Sequence, residues 1–176
     1  MVRAGAAKLA PLLLEDMRVH ARRERRRLRA GETLRTTALI HEAYLRLLGS
    51  SDWASELHFL RAAALAMRQV LVDHARRALS AKHGGGQLVP LDEQPFEPFW
   101  QSDALLVDLD EALARLGALS PRLTEIVECR FFAGYSEEET ARVLGMSDRT
   151  VRRDWVKARA WLHRELGGVA ELQVAP

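Results

Sequence analysis

The chain has 176 residues, which is enough for one domain or for two small ones. Its formal charge of +2 hides a segregation: residues 1–82 carry 16 basic and 8 acidic side chains, residues 83–118 carry 1 and 7, and residues 119–176 carry 9 of each. A hydrophobic fraction of 48% excludes wholesale disorder, and a single cysteine excludes a disulfide framework or a multi-thiol metal site. With no apolar run near the roughly 18–20 residues of a membrane span, we expect a cytoplasmic protein without membrane insertion.

Three helices are predicted in the basic N-terminal part, where Ala, Leu, Arg and Glu dominate. They cover residues 9–29, 37–48 and 56 to about 80, and a polar loop over 50–55 carries Trp53. The apolar residues of 37–48 recur on one helical face, and Gly49 fits the end of that helix. Strand signals are scarce along the whole sequence, so the predicted class is all-α.

The acidic middle begins at three consecutive glycines, 84–86, and holds three prolines without a usable hydrophobic period. This composition predicts a flexible linker over residues 83–103. Helices are expected again over residues 105–116, which Gly117 would end, and over 121–132, which Ser120 would cap ahead of Pro121. The acidic charge from Asp92 to Glu111 opposes the basic N-terminal face, so we expect the two halves to pack together and hide DNA-binding surface.

Residues 136–164 read SEEETARVLGMSDRTVRRDWVKARAWLHR and carry the most informative pattern. Ser136 and Glu139 fit a capping box, Gly145 fits a turn, and Ser147 fits the cap of a second helix. Apolar residues of that second helix recur at helical spacing and should point inward: Val151, Trp155, Ala158 and Leu162. The pattern predicts a helix-turn-helix.

The opposite face of the second helix is basic near its N-terminus, as major-groove reading requires. Arginine can bond guanine edges bidentately, and lysine contacts phosphates. The alternative is an ordinary helical hairpin with a solvated charged face. The predicted DNA-binding residues are Arg149, Thr150, Arg152, Arg153 and Lys157.

Residues 119–166, beginning LSPRLTEIVECRFFAGYSEEETARVLG, resemble the C-terminal promoter-binding domain of the extracytoplasmic-function (ECF) group of sigma-70-type transcription initiation factors. TALIHEAYLRLL followed by HFLRAAALAMRQVLVDHARR resembles the family's N-terminal domain, which binds core RNA polymerase and opens the promoter. The resemblance implies a helical bundle over 1–82, a linker over 83–103, a helix-turn-helix domain over 104–168 and a tail over 169–176. It also implies two partners, core RNA polymerase and promoter DNA.

Site residues follow from the resemblance. The helix 37–48 would dock on polymerase, whereas the loop and long helix after it would read the minus-ten promoter element, whose flipped bases need a stacking surface. The implied polymerase contacts are Leu39, His41, Glu42, Leu45 and Arg46. The implied minus-ten contacts are Trp53, His58, Phe59, Arg61, Arg68, Arg76 and Arg77. Core packing is the alternative for Leu39, Trp53 and Phe59, and a solvated basic face is the alternative for the arginines.

One departure from the family concerns regulation. Acidic residues usually precede the docking helix, and here Arg35, Thr36, Thr37 and Ala38 stand in their place. A phosphate on Thr36 or Thr37 would restore negative charge where a helix N-terminus favours it. The hypothesis is control by a Ser/Thr kinase rather than by an anti-sigma factor alone; the alternative is that either threonine only caps the helix.

Two other functional classes compete with this interpretation. His41-Glu42 begins a zinc-protease pattern that Leu45 breaks, and the sequence contains neither a phosphate-binding glycine loop nor a nucleophile elbow. We therefore expect no enzyme activity, no metal and no cofactor. The second alternative is a helix-turn-helix transcription regulator that binds promoters without docking on polymerase, usually at a symmetric site.

Overall fold

The structure, a computed structural model, describes residues 41–48, 53–83 and 103–168, and across these ranges it contains helices and no β-strand. The predicted all-α class is confirmed. In chain order the helices are α1 (residues 41–48), α2 (Glu56–His83), α3 (Asp103–Leu119), α4 (Pro121–Val127), α5 (Glu137–Leu144) and α6 (Asp148–Glu165). The predicted helix 9–29, the tail and almost all of the predicted linker lie outside the described residues. In the described ranges, no helix is long and apolar enough to cross a membrane.

Of the two predicted helix boundaries near residue 120, the end of the first helix was wrong and the start of the second was confirmed. α3 continues through Gly117 to Leu119, because Gly117 keeps an ordinary backbone conformation instead of the left-handed one that ends helices. Ser120 precedes α4 as predicted, but its side chain makes no capping hydrogen bond. Pro121 alone therefore marks the start of α4, where its missing N–H costs nothing.

A π-helical turn, Glu128–Phe132, continues α4 and was not foreseen. The Ala133 amide donates to the Glu128 carbonyl at 3.0 Å, which is the five-residue spacing of a π-helix. The turn buries Glu128, Cys129 and Arg130 together, and two of these side chains carry charge. Such a turn needs tertiary partners for its charged groups, because an unpaired buried charge is strongly unfavourable.

α2 packs against α3, against the π-helical turn and against α5. Met67 and Val70 of α2 are completely buried in a core that also contains Leu113 of α3 and Ile126 of α4. The Tyr135 hydroxyl, also buried, donates to the Leu60 carbonyl of α2 at 3.3 Å. The helices of the two predicted domains therefore share one hydrophobic core, as the opposed charges of the two halves led us to expect.

Arg68 lies at the centre of the contact between these halves, and its side chain is only 12% exposed. Its Nε donates to Asp110 Oδ1 at 2.9 Å, its Nη2 to the Asp110 carbonyl at 3.1 Å, and its Nη1 to Glu128 Oε1 at 2.7 Å. Arg61 pairs with Glu125, and Arg76 pairs with Asp110 at 3.0 Å. We call these three arginines and three carboxylates the arginine clasp.

At Glu128 of the clasp, the cost of burying a charged carboxylate exceeds the stabilisation that Arg68 gives it. Burial raises the pKa of this carboxyl above its ordinary 4.5, and the hydrogen bond and charge of Arg68 oppose that rise only in part. The folded protein therefore holds a proton on Glu128 at pH values where the unfolded chain has released it. The stability associated with this proton is present below about pH 4.5 and is lost as the pH rises through the folded-state pKa.

We predict that Glu128→Gln, which keeps the shape but never ionises, gains stability relative to the natural protein as the pH rises from 4 to 7. Urea unfolding at four pH values gives the free-energy difference directly. Glu111→Gln, on the exposed side of α3, controls for the loss of one negative charge. A difference for Glu128→Gln that stays constant over this pH range would contradict the assignment.

Candidate nucleic-acid interface

The predicted helix-turn-helix is present and is built from local hydrogen bonds. The Glu139 amide donates to Ser136 Oγ at 3.1 Å, and the Ser136 amide donates to Glu139 Oε2 at 2.7 Å, so the capping box closes both ways. Gly145 ends α5 in the left-handed region, at φ 66°. Ser147 then begins α6 by accepting the Thr150 amide at 3.3 Å. These signals fix the orientation of α6 before any long-range contact is considered.

The inward face of α6 is the one predicted from the apolar spacing. Val151, Trp155, Ala158 and Leu162 are all buried. Arg130 of the π-helical turn lies over the Trp155 ring at 5.6 Å, and burial lowers the pKa of this guanidinium. A buried aromatic ring held by a cation in this way anchors α6 to the rest of the molecule.

The outward face of α6 exposes four of the five predicted DNA-binding residues: Arg149, Arg152, Arg153 and Lys157. Thr150 is half-buried, because its hydroxyl lies 2.9 Å from Ser147 Oγ at the helix start. Val156 is 61% exposed among the cations, and the sequence analysis did not single it out. An exposed apolar group within a basic face suits contact with a thymine methyl.

Carboxylates support two neighbouring arginines of this face in different ways. Glu137 of α5 accepts from Arg152 Nε at 2.9 Å and lies 2.8 Å from its Nη2, and this contact raises the pKa of Arg152. Arg153 instead donates its Nε to Asp154 Oδ1 at 3.1 Å. Asp154 is completely buried. The sequence analysis did not foresee this burial, because an aspartate next to Trp155 is expected on the polar side of the helix.

The predicted minus-ten residues fall into two groups. Trp53 and Phe59 are buried against each other, with ring centroids 5.3 Å apart, and exposed His58 contacts Trp53 at the same distance. The Trp53 indole N–H is buried without a hydrogen-bond partner among the described residues. The arginines form the second group. Arg61, Arg68 and Arg76 belong to the clasp, and Arg77 donates to the Asp73 carbonyl at 3.2 Å.

The predicted polymerase-contact residues also divide. His41 and Leu45 are exposed one turn apart on α1. Glu42 instead lies 2.8 Å from His74, and Arg46 lies 2.8 Å from Asp73, so both hold α1 to α2. Leu39, Thr36 and Thr37 lie outside the described residues.

Comparisons with known proteins give one clear finding. A family model described as "ECF sigma factor" matches residues 3–168, nearly the whole chain. Searches of curated proteins and of solved structures found no match.

Two glycines provide a matched test of the helix-turn-helix geometry. We predict that Gly145→Ala costs about 1–2 kcal/mol, because the left-handed backbone disfavours a Cβ although no atom would touch it. Gly117→Ala should instead stabilise by about 0.5–1 kcal/mol, since it lies inside α3 and its Cβ would meet Thr124 Oγ1 at an ordinary 3.6 Å. Unfolding free energies of the two variants measure both effects. Equal effects of the two substitutions would contradict the left-handed turn at Gly145.

Proposed function

Since this chain belongs to the ECF sigma factor family, a family of transcription initiation factors, we propose that it directs core RNA polymerase to specific promoters. α6 reads the minus-thirty-five element, the N-terminal helices read the minus-ten element, and α1 docks on polymerase in the cytoplasm. The observation that supports this best is the exposed basic face of α6 on a fully formed helix-turn-helix, within a chain that matches the family almost end to end.

At the minus-thirty-five element, α6 enters the major groove with its N-terminal turns leading. The cations of the outward face supply phosphate contacts, which dominate affinity, and at least one arginine supplies a base contact, which gives specificity. Thr150, half-buried at the start of α6, is proposed as a further DNA contact at the leading end of the helix.

Docking on polymerase uses the exposed side of α1. Leu45 is 51% exposed and Leu48 is 45% exposed, and His41 lies on the same stripe one turn earlier. Leu39 is proposed as a further contact from the family resemblance alone. Glu42 and Arg46 contribute indirectly, by holding α1 against α2 through their ion pairs.

Minus-ten recognition by α2 requires the clasp to open. Arg61, Arg68 and Arg76 already pair with carboxylates, so phosphates would have to replace Asp110, Glu125 and Glu128 as their partners. Trp53 and Phe59 become available to a flipped base only if their packing changes, whereas His58 lies beside Trp53 at the surface. Arg77 is exposed farther along α2, where it would contact phosphates.

The distance between the two promoter elements also requires the clasp to open. The minus-ten and minus-thirty-five elements lie about 25 base pairs apart, which is about 85 Å of straight duplex at 3.4 Å per pair. A compact chain of this length has a radius of gyration of about 16 Å. Because α2 packs directly on α5, one closed molecule cannot reach both elements at once. Polymerase binding would separate α2 from the helix-turn-helix.

The missing acidic residues ahead of α1 support a second proposal, that phosphorylation of Thr36 or Thr37 strengthens polymerase docking. A phosphate there would add about −1.5 to −2 charge near the start of the docking helix. A Ser/Thr kinase, alone or together with an anti-sigma factor, would then control polymerase docking.

Run-off transcription with purified core polymerase on genomic fragments tests the main proposal. We expect the chain to bind polymerase without DNA and to produce discrete transcripts. Leu45→Glu should reduce polymerase binding at least tenfold by placing a charge in the docking surface. Leu65→Glu, at a leucine 41% exposed on α2, is the matched control and should retain binding. Binding to a symmetric DNA site without any affinity for polymerase would instead favour a regulator.

The same polymerase-binding assay tests the phosphorylation proposal. Glu at both Thr36 and Thr37 should tighten polymerase binding several-fold by supplying the missing charge, whereas Val at both should not. A double-Glu variant that binds no more tightly than the natural chain would exclude this role.

Cys129 offers a probe of clasp opening, because it is the single cysteine of the chain and lies in the π-helical turn against α2. Burial raises the pKa of Cys129 to about 12, so its thiol should react very slowly with a disulfide reagent at neutral pH. We predict that Arg68→Ala, or addition of core polymerase, accelerates the reaction at least tenfold. Arg115→Ala, which breaks an exposed pair with Glu165, should leave the rate unchanged.

A further inference from the structure

Two adjacent arginines on the exposed face of α6 have different carboxylate partners, and this difference separates their roles. We propose that Arg153 is the arginine that reads a guanine in the promoter, and that buried Asp154 is the positioning residue that orients it. The inference rests on the proposed promoter-binding function and assigns specificity within that site.

Arg153 has the donor arrangement that guanine recognition needs. A guanidinium carries one N–H on Nε and four on its two terminal nitrogens. Arg153 donates its Nε to Asp154 Oδ1 at 3.1 Å, and neither terminal nitrogen makes a hydrogen bond to this carboxylate. Its two terminal nitrogens thus remain directed away from this carboxylate, and together they match guanine O6 and N7 end-on. The side chain is 59% exposed, so this end reaches solvent.

Arg152 is held in a way that disfavours the same role. Both its Nε and its Nη2 contact one oxygen of Glu137, at 2.9 and 2.8 Å. This occupies the side of the guanidinium and leaves Nη1 as the terminal nitrogen not engaged with Glu137. Because Glu137 belongs to α5, the pair joins the two helices of the helix-turn-helix. Arg152 is accordingly assigned to helix bracing and phosphate contact.

Asp154 is suited to positioning because its side chain is 0% exposed and three cations surround it. Arg122 of α4 approaches Oδ2 to 2.9 Å as an ion pair without hydrogen-bond geometry, which explains why that oxygen lacks a hydrogen bond. Lys157 lies 3.8 Å from Oδ1, on the same side as Arg153. A buried carboxylate is strongly destabilised when its partners leave, so it restrains the cations that cover it.

Asp154 also sets the balance between specific and non-specific binding. It places one negative charge directly beneath the basic face, which weakens attraction to any phosphate backbone. Its removal should therefore raise affinity for unrelated DNA while it lowers discrimination between bases. A substitution that merely damaged the fold would lower both, so the opposite signs distinguish positioning from structural support.

The test uses the full chain and duplexes that the natural protein selects from a random-sequence pool. Each base pair of the selected site is then changed in turn, and Kd is measured at two salt concentrations, together with an unrelated duplex. We expect Arg153→Ala to lose about tenfold discrimination at one guanine position, and Asp154→Asn to lose it at that same position. Asp154→Asn should also bind the unrelated duplex two- to three-fold more tightly at low salt.

Three further variants sharpen the result. Arg152→Ala should weaken binding to all duplexes evenly, and Arg153→Ala/Asp154→Asn should discriminate no worse than Arg153→Ala alone. Arg122→Gln removes the α4 partner of Asp154 without touching the basic face, so it should lower the melting temperature and keep the base preference. If Asp154→Asn resembled Arg122→Gln, with an unchanged base preference, Asp154 would be a structural clamp and the inference would be overturned.

The outcomes separate this inference from the function on which it rests. Selection of a specific duplex, with discrimination lost in Arg152→Ala rather than in Arg153→Ala, overturns the assignment of the reader alone. If the natural chain selects no duplex, either by itself or bound to core polymerase, the proposed function fails and the inference fails with it.

Discussion

Arg68 of α2 is nearly buried against α3 and the π-helical turn, where it donates hydrogen bonds to Asp110 and Glu128. A buried pair of this kind adds little net stability, because desolvation offsets the attraction, but removal of one partner costs about 3–5 kcal/mol. Its main effect is to fix position. The clasp joins α2 to α3 through Asp110, to α4 through Glu125 and to the π-helical turn through Glu128, so it ties the two halves together at three points.

The clasp links the fold to the proposed function through competition. The arginines that hold the molecule closed have the chemistry that binds DNA phosphates, and carboxylates occupy them here. The basic face of α6 also pairs with carboxylates, Arg152 with Glu137 and Arg153 with Asp154, yet its cationic side chains stay exposed. Packing thus engages the arginines of α2 that we propose as DNA contacts, whereas it leaves the outward face of α6 exposed.

The helix-turn-helix, unlike the clasp, is defined mainly by contacts between residues that are close in sequence. Ser136, Glu139 and Gly145 define the first helix and the turn through contacts within ten residues. The carboxylates behind the arginines extend this pattern to the binding face: Glu137 comes from α5 and Asp154 from α6 itself. A reading helix needs side chains held in place before they meet DNA, and here that support is built into the motif.

Sequence reasoning succeeded where the signal is local. The all-α class, the capping box, the left-handed glycine and the inward face of α6 all follow from spacing and capping chemistry, which act over a few residues. It was wrong where a local signal competes with packing. Gly117 did not end α3, because its backbone keeps an ordinary conformation inside the helix, and Ser120 begins α4 without a side-chain cap.

The sequence by itself determined that this chain is helical, that its C-terminal part forms a helix-turn-helix with a basic outer face, and that a basic N-terminal segment is followed by an acidic middle one. Only the tertiary structure decided which charges meet. Arg68 and Arg152 occupy similar positions in the sequences of two helices. In the structure Arg68 is buried between carboxylates, whereas Arg152 is exposed. Ion pairing depends on distances between residues far apart in the chain, and a one-dimensional pattern does not contain those distances.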